Sequence, residues 1–403
     1  MRLLPALALL LAALPAEAQP RPRARDLGID LGGTPGTHNA ITDVAGVEVG
    51  HATVIRGEGR LEAGRGPVRT GVTAIWPRGR GNMEGVFSAW HTLNGNGEMT
   101  GTTWVEESGL YNGPLAITNT YSVGIVRDAL VEMVIRHAPD EIFGLPLVAE
   151  TYDGILNDIN GFHVGREHAL AALDSARPGP VVEGNVGGGT GMICHQFKGG
   201  IGTSSRVLEA RVGGHTVGVL VQCNYGSRRR FAVAGAPVGR EITDLHLCQA
   251  GSWEPATWLR GVRKCAEGGA AAWPADMPEG LGSIIVILAT DAPLLPHQLK
   301  RIAERVPLAI GRMGGLGEDS SGDIFLAFST QPVRPGEGGR AAVAVLDNAR
   351  MNPLFEATVE ATEEAILNAM LAAETMTGAD GIRVHALPAD RLVAAMRKYG
   401  RLP

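Results

Sequence analysis

Few residues of this chain have the type and spacing that chemistry needs. Its 11 histidines include no H-E-x-x-H pair and its 4 cysteines no C-x-x-C pair, so the usual ligand spacings of a catalytic metal are missing. Cys194 and His195 are adjacent. On a strand, neighbouring side chains point to opposite faces, so this pair is expected neither to share an ion nor to act as nucleophile and base. No G-x-S-x-G elbow occurs. The stretch 184–191, Gly-Asn-Val-Gly-Gly-Gly-Thr-Gly, lacks a clean G-x-G-x-x-G and lies late in the chain. It reads as a loop whose backbone closely approaches another element or a substrate.

Ser283 is what remains. It follows Gly282 and precedes a continuous apolar run, 284–289, as expected of a strand buried on both faces. A cut between Gly282 and Ser283 would make this serine the first residue of a new chain. Its α-amine, with a pKa of about 7.7–8.0, or a nearby group would then accept the hydroxyl proton. A serine at the mouth of a buried strand is held rigidly, which suits positioned attack. By pattern alone, the Gly-Ser pair also fits an ordinary loop end.

The elements that must position such a serine are short and intermixed. Val68–Trp76, 114–118, 216–222, 324–328 and 341–346 read as further strands. In 216–222 the valines 217, 219 and 221 alternate, as in a half-buried strand. Val126, Leu130, Met133 and Val134 share one face of a helix ending near His137. Leu299, Ile302 and Val306 mark another, which Pro307 should end or kink. A long helix is expected over 353–374, capped by Asn352, with Pro353 in its first turn, Gly378 past its end, and Phe355, Val359, Ile366 and Met370 on its apolar face. Residues 244–282 hold Cys248, Trp253, Trp258, Cys265 and Trp273-Pro274 without periodicity and read as a long surface loop ending at Gly280-Leu281-Gly282. The whole reads as one layered α/β domain.

Composition bounds the function. Of 403 residues, 44% are apolar and 19% charged, which is ordinary for a globular protein. Net charge is −6 and no Lys/Arg run stands out beyond the Arg228–Arg230 triplet, read as a solvated loop, so nucleic acid is not an expected partner. Arg2, the apolar run 3–14 and Ala16-Glu17-Ala18 form a secretory signal peptide, cut after Ala18. The run is too short for a membrane anchor, so a secreted or periplasmic product is expected. Export exposes the cysteines to oxidation. Cys194 and Cys223 read as buried free thiols, while Cys248 and Cys265 flank a polar loop and could pair.

Several stretches, in order along nearly the whole chain after residue 18, carry a family resemblance. They are Asp30-Leu31-Gly32-Gly33, Leu93-Asn94-Gly95-Asn96-Gly97-Glu98-Met99-Thr100-Gly101, Glu150-Thr151-Tyr152-Asp153-Gly154, and 184–191 with 199–205. Next come Gln222-Cys223-Asn224-Tyr225-Gly226, Gly282-Ser283-Ile284-Ile285, Asp291-Ala292-Pro293-Leu294, Ser321-Gly322-Asp323 and the stretch 352–378. Together they resemble the L-aminopeptidase/D-Ala-esterase-amidase and β-peptidyl aminopeptidase family of the DmpA type. The resemblance implies a four-layer α/β/β/α sandwich like that of N-terminal-nucleophile hydrolases, with different strand connectivity. It also implies self-cleavage into chains 19–282 and 283–403, assembly as a tetramer of such pairs, and no cofactor.

Carried over residue by residue, Ser283 resembles the nucleophile and Asn224 the oxyanion-hole side chain. Ser321 and Asp323 resemble a serine and an acid that orient the nucleophile's amine and hydroxyl. Asp323 stands where some members have Glu, one methylene longer. Tyr152 resembles a site tyrosine, and Glu150 the carboxylate that receives the substrate amine. Asn94 and Asn96 are assigned to the pocket wall. Glu150 could instead form a structural ion pair with an arginine. The expected substrates are small peptides or amino-acid amides with L-, D-alanyl or β-amino N-termini. Two rival readings stand beside this one: an acyltransferase of the ornithine acetyltransferase type, disfavoured by a serine at 283 and by the signal peptide, and a non-catalytic exported binding protein.

Overall fold

The computed structural model describes residues 21–140, 144–254, 259, 261–265, 282–335 and 337–403. The expected signal peptide, Trp258, Trp273-Pro274 and Gly280-Leu281 lie outside the described residues. The main strands are β1 (Glu48–Arg56), β2 (Val68–Trp76), β3 (Val86–Gly95), β4 (Leu110–Tyr111), β5 (Leu115–Asn119), β6 (Val148–Thr151), β7 (Gly200–Val207), β8 (Thr216–Asn224), β9 (Ser283–Thr290) and β10 (Gly322–Ser329). The helices that matter here are α1 (Val123–His137), α2 (Arg166–Asp174), α3 (Pro296–Ala303), α4 (Val306–Arg312) and α5 (Asn352–Ala372).

Two sheets result, with strand orders β1-β2-β5-β6 and β4-β3-β10-β9-β8-β7. Two neighbouring pairs are parallel, β5 with β6 and β9 with β10. Parallel neighbours need a crossover, and α1 bridges the first pair while α3 and α4 bridge the second.

Period-two burial on β9 fixes the layering. Ile285, Ile287 and Ala289 meet Ile75, Ile117 and Ala149 of the four-stranded sheet. Ile284, Val286 and Leu288 face the other way, into a core with Leu354, Ala361, Ala365 and Ile366 of α5. On the far side Val72, Ala74, Trp76 and Val148 pack on Val126, Ala129, Leu130 and Leu173 of α1 and α2. The layers therefore run helix, sheet, sheet, helix, as expected for an α/β/β/α sandwich.

Several expectations need correction. All of β8 is buried, not half of it: the face opposite its valines packs between the sheets, where Gly218 closes on Ile41 and Gln222 bonds Thr118 and Thr151. Asn352 does not cap α5; Met351 precedes it in helical conformation, continuing a 3-10 turn at Asn348–Arg350. The helix stops at Ala372, short of the expected residue 374, because Ala373 is already extended, and Gly378 lies past its end. Pro307 lies in the first turn of α4, and the break falls before it, between Ala303 and Val306. Of the expected strand 341–346 only Ala341–Ala342, both exposed, pair as a strand, in a two-stranded ribbon. Arg228 is buried, its guanidinium 3.2 Å from the Phe197 ring and bonded to the carbonyls of His195, Gln196, Ile242 and Asp244. Cys194 and Cys223 form a disulfide. Cys248 and Cys265 pair as well, and Cys248–Gln249 pairs with Ile382–Val384, so this end of the long segment is anchored in a small core.

The segment around residue 25 is tied to α5 by buried charge. Glu364, fully buried, accepts from Arg25 Nε at 3.0 Å, Arg206 Nη2 at 2.8 Å and the Asn39 amide. Removing a buried carboxylate strands its cations. Glu364→Ala is therefore expected to lower unfolding free energy by about 3–5 kcal/mol in a denaturant titration. A loss below about 1 kcal/mol, the worth of a surface pair, would contradict this placement.

Candidate active site

Strand register assembles the site. β9 lies between antiparallel β8 and parallel β10, placing Ser283 opposite both Asn224 and Gly322. Ser283 is only 5% exposed, and its Oγ accepts from the Gly322 N–H at 3.1 Å. Gly282 has φ +143, and a Cβ there would sit 1.7 Å from the Asn224 carbonyl oxygen. No larger residue fits, so the chain entering Ser283 is pressed against the end of β8.

An acid lies beside this serine. Ser321 Oγ donates to Asp323 Oδ1 at 2.6 Å, and the Ile284 amide also bonds the carboxylate. Among the described residues, buried Asp323 Oδ2 has no partner. Burial raises the Asp323 pKa to about 6, with the Glu318 carboxylate adding to the rise. The shorter acid thus reaches the hydroxyl of Ser321, which immediately precedes β10.

A cavity of about 760 Å³ opens onto Ser283, lined among others by Asn96, Glu98, Thr120, Glu150, Tyr152 and Asn224. Among the described residues its lining includes no Lys, Arg or His, and its charged members are Glu98 and Glu150. Glu150, near the end of β6, is 3% exposed. It accepts from the Glu98 amide at 3.0 Å and from the Thr120 hydroxyl, in place of the arginine of the alternative reading. Burial raises its pKa despite those two bonds, and the Glu98 charge pushes the same way. Asn224 is fixed at both ends of its amide: Oδ1 accepts from Ile193 N–H at 2.7 Å and Nδ2 donates to the Tyr152 carbonyl at 2.9 Å. One Nδ2 hydrogen remains for a ligand. Tyr152 is 39% exposed, its ring on the cavity wall.

Ser283, Asn224, Glu150, Tyr152 and Asn96 thus share one cavity, with Ser321 and Asp323 buried beside it. Asn96 also donates to the Ser320 carbonyl at 2.9 Å. Asn94 does not line the cavity: its amide bonds the carbonyls of Glu318 and Ser321, stapling that loop. Thr120 and Glu98 were missed as site residues, and no spacing pattern in the sequence marks Thr120. Cys194 lies at the end of a two-residue strand and His195 has φ +47, so strand alternation does not govern that pair. His195 is buried, stacked 4.8 Å from Phe231.

The chain is similar to several known proteins. The family model "Peptidase family S58" matches residues 39–384. A β-peptidyl aminopeptidase BapA of Sphingosinicella microcystinivorans is 53% identical over 383 residues, 94% of this chain and 93% of that one. A BapA of Sphingosinicella xenopeptidilytica is 47% identical, covering 98% and 96%. The solved L-aminopeptidase D-Ala-esterase/amidase of Ochrobactrum anthropi, described as a prototype serine aminopeptidase and a variant of the Ntn hydrolase fold, superposes with a TM-score of 0.82 at 45% identity, covering 95% and 100%.

The buried, under-satisfied Asp323 has a consequence for stability. Its pKa is raised from 3.8 to about 6 on folding, so the folded state holds the proton more tightly. Stability from this group is present at low pH and is lost as pH rises between those two values. In an uncut Ser283→Ala background, Asp323→Asn is expected to stabilise the protein by about 1–3 kcal/mol at pH 7.5. The gain should vanish below about pH 4. A loss of stability at pH 7.5 would show that the charge is compensated.

Proposed function

The chain belongs to peptidase family S58 and is a serine aminopeptidase of the Ntn-hydrolase kind, and we propose that it is an exported β-peptidyl aminopeptidase activated by self-cleavage between Gly282 and Ser283. The two BapA relatives support the β-amino preference. Membership sets aside the non-catalytic reading and favours hydrolysis over acyl transfer.

The observation that carries the proposal is Glu150. It is a buried carboxylate on the wall of the cavity that holds Ser283, bonded by a backbone amide and a hydroxyl, in a lining with no cation among the described residues. A substrate ammonium supplies the missing charge. β-Amino acids place that ammonium one carbon further from the reacting carbonyl than α-amino acids do.

In this reading Ser283 Oγ first attacks the Gly282 carbonyl, the C–N bond breaks, and the resulting ester takes up water. Gly282 ends as a carboxylate and Ser283 gains a free amine. That amine then accepts the Ser283 hydroxyl proton as Oγ attacks a bound substrate. Asn224 donates its remaining Nδ2 hydrogen to the developing oxyanion. Ser321 and Asp323 orient the amine and hydroxyl, Tyr152 flanks the bound residue, and Asn96 holds the 320–321 loop. The leaving amine takes the proton, and water releases the acyl group. No cofactor enters. Export by the N-terminal signal and assembly of the paired chains as a tetramer belong to the same proposal. Among the described residues no helix is long and apolar enough to cross a membrane.

The test is a hydrolysis panel on the purified protein with matched β-amino, L-amino and D-alanyl amides, each free and N-acetylated. The β-amino amides should be cut fastest, and acetylation should abolish turnover. Glu150→Gln, with processing verified, should lose about tenfold to a hundredfold in kcat/KM on free amines, the worth of a charge-assisted bond. Equal discrimination against acetylated substrate in both proteins would assign Glu150 to structure alone.

A further inference from the structure

Lys198 is fully buried and has no carboxylate partner among the described residues. Its ammonium donates to three backbone carbonyls: Met192 at 2.8 Å, Gly199 at 3.0 Å and Gly189 at 3.4 Å. A buried cation served only by neutral acceptors is costly to keep, and a neutral side chain could fill the same space. Its position suggests a use for the charge.

The Met192 carbonyl and the Ile193 N–H belong to one peptide group. That N–H is the donor that holds Asn224 Oδ1 at 2.7 Å. Asn224 Oδ1 and Nδ2 belong in turn to one amide. The Lys198 ammonium, the 192–193 peptide and the Asn224 amide therefore form a single hydrogen-bonded series, each group donating to the next. Its open end is the free Nδ2 hydrogen facing the Ser283 cavity. A cation at the head of such a series polarises every amide along it, and consecutive hydrogen bonds strengthen one another in a dry interior. The disulfide between Cys194 and Cys223 flanks the same two segments, one residue from Ile193 and one from Asn224.

We propose that Lys198 is a positioning residue for catalysis, whose buried charge aligns and polarises the Asn224 amide through the 192–193 peptide, making it a stronger oxyanion donor. The inference rests on the role given above to Asn224. It makes the relay active while Lys198 is protonated and lost as pH rises. Burial is the cause that pulls this ammonium down, to about 7. The titratable and charged groups on the elements around it are Asp153, His195, Arg228 and His385. Burial leads each of their shifts, raising Asp153 and lowering the other three.

A double-mutant cycle tests the relay, with self-cleavage confirmed for each protein. Asn224→Ala alone should lower kcat about a hundredfold to a thousandfold, as loss of one oxyanion donor does. An unchanged kcat there would overturn the role of Asn224 itself. Lys198→Met should lower kcat about threefold to tenfold with little change in KM. In the Asn224→Ala background the same substitution should cost less than about twofold, because the amide it acts through is gone. Full additivity, or a rise in KM matching the fall in kcat, would overturn the relay. Should Lys198→Met fail to fold, Lys198→Arg decides. It keeps the charge at all working pH values, so the alkaline limb of kcat should move up by at least one pH unit. A limb at the wild-type position would refute the proposal.

Discussion

The backbone pairing of β9 is the constraint on which the rest depends. This strand is buried on both faces and hydrogen-bonded on both edges, antiparallel to β8 and parallel to β10. Sliding it by one residue would turn Ile285 and Ile287 from the space between the sheets into the helix layer, and Ile284 and Val286 the reverse. Its register is therefore locked by the apolar packing of residues 284–289, six of its eight consecutive buried positions. Ser283 is the first of them, and inherits that rigidity without a dedicated loop to hold it. Gly282 is the price of this closeness, since the chain must reach the strand through a gap that admits no Cβ.

The second sheet contributes the other half of the chemistry. β6 ends beside the mouth of β9 and carries Glu150, while the turn after β5 supplies Thr120. Closing two sheets face to face makes the space between them dry, so charge there is strong and uncompensated charge costly. The site uses this in three places. Glu150 and Asp323 are carboxylates raised in pKa by burial, and Lys198 is an ammonium lowered by it. The bonds that each does make come from backbone or hydroxyl groups. Such sites trade stability for readiness to meet a ligand's charge.

Much of the fold is legible in the sequence, and the failures have physical causes. The strand Val68–Trp76 matches to the residue, and the apolar run 284–289 marks β9 because burial on both faces leaves no polar position to interrupt it. The run 216–222 misleads for the complementary reason. Gly218 and Gln222 look solvent-facing, yet one is small enough to meet Ile41 and the other finds two partners across the sheets. The cap assigned to Asn352 fails because the helix is entered through a 3-10 turn, where the preceding backbone is already helical. The resemblance puts Asn94 on the pocket wall, but a bulge between Asp323 and Ile324 in the β3 pairing accompanies its turn toward the 318–321 loop. Tertiary pairing decides both this and the Cys194–Cys223 bond, and neither is written in local pattern. Ser283, Asn224, Glu150 and Tyr152 were legible as a set through the family resemblance; their convergence on one cavity is what the fold adds.

The most direct measurement is the intact mass of the purified protein together with N-terminal sequencing of its chains. A chain activated by its own nucleophile should appear as two polypeptides, the smaller covering 283–403 and beginning Ser-Ile-Ile-Val. Ser283→Ala should remain a single folded chain without aminopeptidase activity. A single uncut polypeptide that hydrolyses amino-acid amides would contradict the mechanism at its root, because Ser283 would then have no free amine to act as base.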